Sequence, residues 1–239
     1  LGPDVTDKRV GQRVLVDCVI KCDRCDYCVV GRDELCRARV DMGVQVWGGY
    51  AQYLKAPVRN VHPIPDVISY QEAAAIPLAF HTAWHCLVTR GRLHQGETVL
   101  INAAGSGVGS AAIQVARVMN ARVLVTAGSD AKLSSSREWG ADEGLNYTDT
   151  PAFSGPIKEM TGGDGVDLVF DSVGTALWDE SFASMKWGGR FVTCGVTSGH
   201  LASLHLGQLF TRGLTVMGSG GRSRREFADF MALVHTGVL

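Results

Sequence analysis

No stretch of this 239-residue chain approaches the ~20 consecutive apolar residues that a membrane-spanning helix needs. The opening LGPDVTDKR also lacks the apolar region of a secretory signal. Charge of either sign is not in excess: 23 basic against 24 acidic residues leave a net charge of −1, so nothing global draws the chain to nucleic acid or to an anionic membrane. Internal repeats and low-complexity segments are absent. These absences make a cytoplasmic globular protein with a small-molecule partner the default expectation, with local sites carrying the function. Residue 1 is Leu and both ends fall inside patterned sequence, which reads as a portion of a longer chain.

What is present is organised around Glu97 to Thr126. Thr98 to Ile101 is a short β-prone apolar run, as in a parallel strand covered on both faces. Gly105, Ser106, Gly107, Val108 and Gly109 then form a turn of little bulk. Ala111, Ala112, Ile113, Val115, Ala116 and Val118 follow at helical spacing, and a second strand closes a βαβ unit. Such a turn lets backbone N–H groups approach a pyrophosphate at the start of a helix, so the expected ligand is a dinucleotide.

Cys22, Cys25, Cys28 and Cys36 lie with two, two and seven residues between them, a spacing that can close a tetrahedral zinc shell in a loop. A bacterial-ferredoxin cluster would place three residues before its last cysteine and a proline after it, whereas here seven precede Cys36 and Arg37 follows. Disulfides do not suit a reducing compartment, and a nucleic-acid zinc module should be basic, whereas acids and bases balance in this loop. With all four positions filled by cysteine, no coordination position remains for substrate, so the expected zinc is structural. Cys18, Cys86 and Cys194 read as buried small apolar residues.

Along the rest of the chain, Arg9 to Val16 enters a strand, and Gly48 to Leu54 alternates as a half-buried strand does. Val61 to Pro65 is an extended connector, Ser69 opens a helix with Glu72 at the capping-box position, and Pro77 should break it. Another helix begins at Phe80, which puts the boundary between two domains near 77–82, with domains at 1–79 and 80–239. Helices are expected over Lys132 to Trp139, Pro156 to Met160, Trp178 to Lys186 and Arg225 to Val234. Strands are expected at Leu145 to Tyr147, Val166 to Phe170, Arg190 to Cys194 and Leu214 to Met217. This alternation predicts an α/β fold, a doubly wound parallel sheet of about six strands.

The four-cysteine loop, GGYAQYLKAP, EAAAIPLAFHTAWHCLV, NAAGSGVGSAAIQVA, GADEGLNY, GVDLVFDSVG and GGRFVTCGVTSG follow one another in an order that resembles the medium-chain dehydrogenase/reductase superfamily. The resemblance is strongest to its zinc-binding alcohol dehydrogenase and quinone oxidoreductase branch. It implies a partial GroES-like catalytic domain with a zinc lobe, a Rossmann domain, and hydride transfer between a nicotinamide and a carbonyl, alcohol or conjugated alkene. It implies zinc ligands at Cys22, Cys25, Cys28 and Cys36, a pyrophosphate turn at Ser106, Gly107, Val108 and Gly109, and a nicotinamide near Thr82 and the loop Gly195, Val196, Thr197. It also implies assembly as a homodimer or homotetramer through edge strands, for which Leu214 to Gly218 is the candidate. The first catalytic-zinc ligands would lie before Leu1, and Leu78 stands where the resemblance puts a later cysteine ligand.

At the end of the second strand the chain reads Thr126, Ala127, Gly128, Ser129. The acidic residue that binds the ribose hydroxyls of NAD is missing there, which favours NADP, with Ser129, Lys132 and Tyr147 on the 2′-phosphate. Asp130 is close enough to reverse that choice. His81 and His85 flank the expected nicotinamide pocket, and His81 is the candidate proton relay beside Thr82. The expected activity is NAD(P)-dependent oxidoreduction of a small alcohol, aldehyde or ketone. The alternatives are an NADPH-dependent quinone or enone reductase without catalytic zinc, and a non-catalytic nucleotide-binding scaffold.

Overall fold

The computed structural model describes residues 1–239. By contacts the chain divides into two compact units, Leu1–His81 with Gly221–Leu239, and Thr82–Gly220. The first unit opens with β1 (Val14–Val16), β2 (Val19–Ile20), the short α1 (Asp26–Val29), β3 (Val40–Asp41) and β4 (Val61–Pro63). β1 pairs antiparallel with β4, Val14 opposite Pro63, and β2 with β3. The segment Val61–Pro63 is therefore a paired strand and not merely a connector. Buried Asn60 joins the two ribbons by donating from Nδ2 to the carbonyls of Asp17 at 2.9 Å and Val19 at 3.0 Å.

α2 (Tyr70–Ala75) starts at Ser69 with the expected capping box, in which Ser69 and Glu72 each satisfy the other's backbone N–H. Pro77 does not break the helix. The chain widens into π-type turns over Ile76–Phe80, which accommodate a residue without an N–H, and continues into α3 (His81–Trp84), inside which the boundary between the units falls. Gly48–Leu54 forms no strand: Tyr50 and Tyr53 are open to solvent, and no strand pairs with it. Alternation supplies the side-chain pattern of a strand, but the ladder needs a partner.

The second unit contains β5 (Thr98–Ile101), α4 (Gly107–Val118), β6 (Arg122–Ala127), α5 (Asp130–Glu138), β7 (Glu143–Asn146), α6 (Ser154–Met160), β8 (Val166–Asp171), α7 (Trp178–Ser184), β9 (Met185–Thr193), α8 (Leu206–Thr211) and β10 (Thr215–Gly218). Its six strands are parallel throughout, in the order β10-β9-β8-β5-β6-β7, so the winding reverses between β5 and β8. Val99, Leu100 and Ile101 of β5 are completely buried, as are Ala111, Ala112, Ile113, Val115 and Ala116 on the inner face of α4. Leu100, Leu124, Val169 and Phe191 share one core with Phe153, Ile157 and Phe182. Each such large side chain contributes about 1.5–3 kcal/mol by leaving water, so this sheet has a deep core.

The last element, α9 (Arg224–His235), is the expected amphipathic helix, capped by a second box between Ser223 and Glu226. It belongs by contacts to the first unit. The division by contacts differs from the one read from sequence, with everything after residue 79 in one domain, because Phe227 and Phe230 pack on His81, and Phe227 on His62, with ring centroids 4.5 to 5.5 Å apart. Periodicity revealed the apolar face of this helix but not the surface that receives it.

Candidate functional site

Four cysteines meet in the first unit. Cys22, Cys25, Cys28 and Cys36 bring their Sγ atoms within 4.8 Å of one another, with Cys22 and Cys28 at 3.9 Å. Zn–S bonds of about 2.3 Å in a tetrahedron require sulfurs about 3.8 Å apart, so the set fits zinc. Backbone N–H groups of Arg24 and Cys25 pull the Cys22 thiol down to about 6, while burial and the neighbouring thiols push Cys28 up to about 12. Only a cation at the centre relieves the repulsion that four thiolates would feel.

The loop is held from outside. Lys21, only 1% exposed, donates from Nζ to the Arg222 carbonyl at 2.7 Å. Asp33 accepts the Arg224 N–H at 3.1 Å, and Asp23 pairs with the Arg224 guanidinium. Of the other cysteines, Cys86 is buried as expected, whereas Cys18 and Cys194 are only half-buried.

In the second unit, the glycine-rich turn joins the carboxyl end of β5 to α4. Ser106 caps α4, its Oγ accepting the Gly109 N–H at 3.0 Å, so this hydroxyl serves the helix. Gly109 lies against the Ala103 carbonyl, where any Cβ would collide, while the space beside Gly107 is open. The first-turn N–H groups of Gly107 and Val108 have no acceptor within α4 and provide the positive end of its dipole.

Of the three residues expected at the 2′-phosphate, Lys132 lies on this turn, and Tyr147 and Ser129 lie at the end of β6. The Lys132 methylenes lie over Gly105, 2.7 Å from where a Cβ would stand, and the Tyr147 hydroxyl lies over Gly128 at 2.8 Å from the same construction. Ser129 caps α5 next to both. The rival Asp130 accepts from Asn146 Nδ2 at 3.2 Å. On the other side of the sheet's switch point, the Gly195–Thr197 loop packs on the exit of β8: Gly195 sits against Ser172, and Thr197 Oγ1 donates to the Ser172 carbonyl at 3.4 Å.

Comparison with known proteins then decides the relationship. Residues 107–236 match the zinc-binding dehydrogenase family, and residues 1–66 the alcohol dehydrogenase GroES-like domain. The chain belongs to the zinc-binding dehydrogenase family. It therefore sits in the medium-chain dehydrogenase/reductase superfamily. It is 32% identical over 99% of its length to an alcohol dehydrogenase of Geobacillus stearothermophilus, covering 69% of that protein. It is also 32% identical over 82% of its length to quinone oxidoreductase-like protein 2 of Rattus norvegicus, of which it spans 57%. A solved NAD-dependent alcohol dehydrogenase superposes with a TM-score of 0.95 at 38% identity, covering all of this chain and 69% of the other.

Within this zinc-binding dehydrogenase chain the remaining candidates fall in different surroundings. Thr82 is half-buried. His81 is completely buried between Phe227 and Phe230, and Nε2 donates to the Ser223 carbonyl at 2.8 Å, with Glu226 Oε2 at 3.7 Å. A carbonyl only accepts, so Nε2 carries the proton and Nδ1 is an unpaired acceptor. Burial holds this imidazole below its ordinary pKa, which Glu226 partly offsets. The ring packs on Phe227 and Phe230 of α9 and bonds its cap residue Ser223. His85 is buried as well. Leu78 is 58% exposed on the first unit.

The structure adds a group that motif reading missed. Asn102, Thr126, Asp171 and Ser181, all buried, form one hydrogen-bonded set at the carboxyl ends of β5, β6 and β8 and on α7. A polar residue ending each apolar strand run was the only signal of it.

Proposed function

We propose that the protein containing this chain transfers hydride between NADP(H) and a small alcohol, aldehyde or ketone, with the second unit as the cofactor-binding domain and the four-cysteine zinc as a structural metal. The observation that carries the cofactor reading is Lys132 lying over Gly105 of the glycine-rich turn, with Tyr147 over Gly128 at the end of β6. When bound, the nicotinamide supplies or accepts the hydride. The N–H groups of Gly107 and Val108 hold the pyrophosphate, Gly109 lets the turn lie close to the sheet, and Ser106 keeps the turn in shape. Ser129, Lys132 and Tyr147 bind the 2′-phosphate. Thr82 and Gly195, Val196 and Thr197 orient the nicotinamide. His81 is retained as a residue that positions α9, not as a relay.

The test is a titration of the full-length protein with NADPH and NADH, followed by nicotinamide fluorescence. Loss of a charged phosphate partner in Lys132→Ala should weaken NADPH binding about tenfold and leave NADH unchanged. Equal affinity for both cofactors in the unaltered protein would defeat the NADP choice, and NADH preference would move the ribose contact to Asp130.

A second reading is an NADPH-dependent quinone or enone reductase without catalytic zinc. Leu78 favours it, because a leucine side chain offers no lone pair to a metal. One zinc per full-length chain with turnover of enones supports this reading, and two zincs with turnover of alcohols supports the first. Cofactor binding without turnover would leave a scaffold. No helix is long and apolar enough to cross a membrane, and we place the protein in the cytoplasm. We place its assembly, a homodimer or homotetramer, on the edge strand β10.

A further inference from the structure

In a doubly wound sheet the ligand crevice lies outside the carboxyl ends of the strands where their order reverses. Here that point falls between β5 and β8, and the buried polar set found above stands at it, unused by any role assigned so far. Asn102 Nδ2 donates to Asp171 Oδ1 at 3.0 Å and to Ser181 Oγ at 2.7 Å, and Asn102 Oδ1 accepts from Thr126 Oγ1 at 2.9 Å. The second carboxylate oxygen, Asp171 Oδ2, accepts the Gly174 N–H at 2.8 Å. Burial pushes the Asp171 carboxyl upward, while the donors from Asn102, Gly174 and Val173 pull it back. Polar groups this deep are tolerated because each finds its partner.

Two loops depend on this set. Asn102 ends the run of β5 three residues before Gly105 opens the glycine-rich turn, and between them the Ala104 N–H is held by the Thr126 carbonyl at 2.9 Å. Gly174 has φ +88°, and a Cβ there would collide with the Gly199 carbonyl. Around it, Thr175 N–H donates to that carbonyl at 3.2 Å and Ser198 N–H to the Val173 carbonyl at 2.8 Å. The Gly195–Gly199 loop thus lies on the segment 172–175, and Asp171 Oδ2 sets where that segment turns.

We infer that Asp171 is a positioning residue for the nicotinamide end of the cofactor: it ties the loops 172–175 and 195–199 to the strand that opens the pyrophosphate turn. The inference rests on the cofactor reading above. Three donors, the Asn102 amide and the Gly174 and Val173 N–H groups, converge on its two oxygens, so the position requires two acceptors. Asparagine at 171 offers one acceptor and one donor and must break one bond. Exchanging the pair restores the bond between 102 and 171 and leaves the Gly174 N–H its acceptor. With aspartate at 102, its oxygens accept from Thr126, from Ser181 and from the new amide at 171, whose own oxygen still accepts from Gly174.

The experiment titrates NADPH and its fragment 2′-phospho-ADP-ribose into the full-length protein, Asp171→Asn, and the double exchange Asn102→Asp with Asp171→Asn. NADPH binding is followed by calorimetry and by the emission of the bound nicotinamide. If NADH is preferred, NADH and ADP-ribose replace them. Asp171→Asn should weaken the whole cofactor about tenfold and shift its bound emission towards that of free cofactor, as expected for one unmade buried hydrogen bond. Affinity for the fragment, which does not reach the nicotinamide loop, should stay within about twofold, and the double exchange should restore both affinity and emission. Unchanged NADPH binding in Asp171→Asn overturns the inference, and so does equal loss of cofactor and fragment without recovery in the double exchange. An unaltered protein that binds neither ligand defeats the cofactor reading itself, a result distinguishable from either of these.

Discussion

Asp130 and Lys132 stand two residues apart at the start of α5 and pull the choice of cofactor in opposite directions. An acid beside the ribose favours free hydroxyls and a base favours a phosphate. Lys132 lies along the turn itself, while Asp130 is engaged by Asn146. Single residues also set the response to acid. The fold prefers neutral His81, whose pKa is lowered chiefly by burial, and His62 is lowered for the same reason. The unfolded chain takes up protons at the ordinary histidine pKa, so it binds more of them as pH falls through that range. Stability present above it is then lost towards the lowered folded value. The urea midpoint of the protein should therefore fall between about pH 7 and about pH 5, and less steeply in His81→Gln. A slope that survives unchanged in the variant assigns the loss to His62 or another group.

Two elements far apart in sequence stabilise each other: the cysteine loop and the entry to α9. Lys21, Asp23 and Asp33 bond to residues 222–224, and Gly221 approaches the Glu34 carbonyl so closely that a Cβ would collide with it. A methyl group forced into such a contact costs about 1–3 kcal/mol. Gly221→Ala should accordingly lower the thermal midpoint and increase hydrogen exchange in 224–235, while β5, β6 and β8 stay protected. Removal of zinc with a chelator should loosen 21–36 and 224–235 together, read by the same exchange. Protection of α9 that persists after complete zinc loss would show that the two elements are independent. The helices were legible because their caps are local: Ser69 with Glu72 and Ser223 with Glu226 are each complete within four residues. Gly48–Leu54 was misread because pairing with another strand is not local.

At the scale of the whole chain, β10 leaves one edge of the sheet open, with Thr215 and Val216 exposed. An uncovered edge strand is a pairing surface, and a two-fold axis beside it would join two sheets. Light scattering on the full-length protein should give the mass of a dimer or tetramer, and Val216→Lys should shift it downward. A monomeric mass for the unaltered protein removes that assembly. What the sequence by itself determined are features written within short spans: the cysteine spacing, the glycine-rich turn, the period of each strand and helix, and hence the doubly wound class. Those depend on backbone sterics and on contacts a few residues apart. Only the tertiary structure decided which distant residues meet: α9 with His81, Lys132 with Gly105, and Asn102 with Asp171. Such pairs are joined by burial and by the need of buried donors to find acceptors, neither of which leaves a period in the chain.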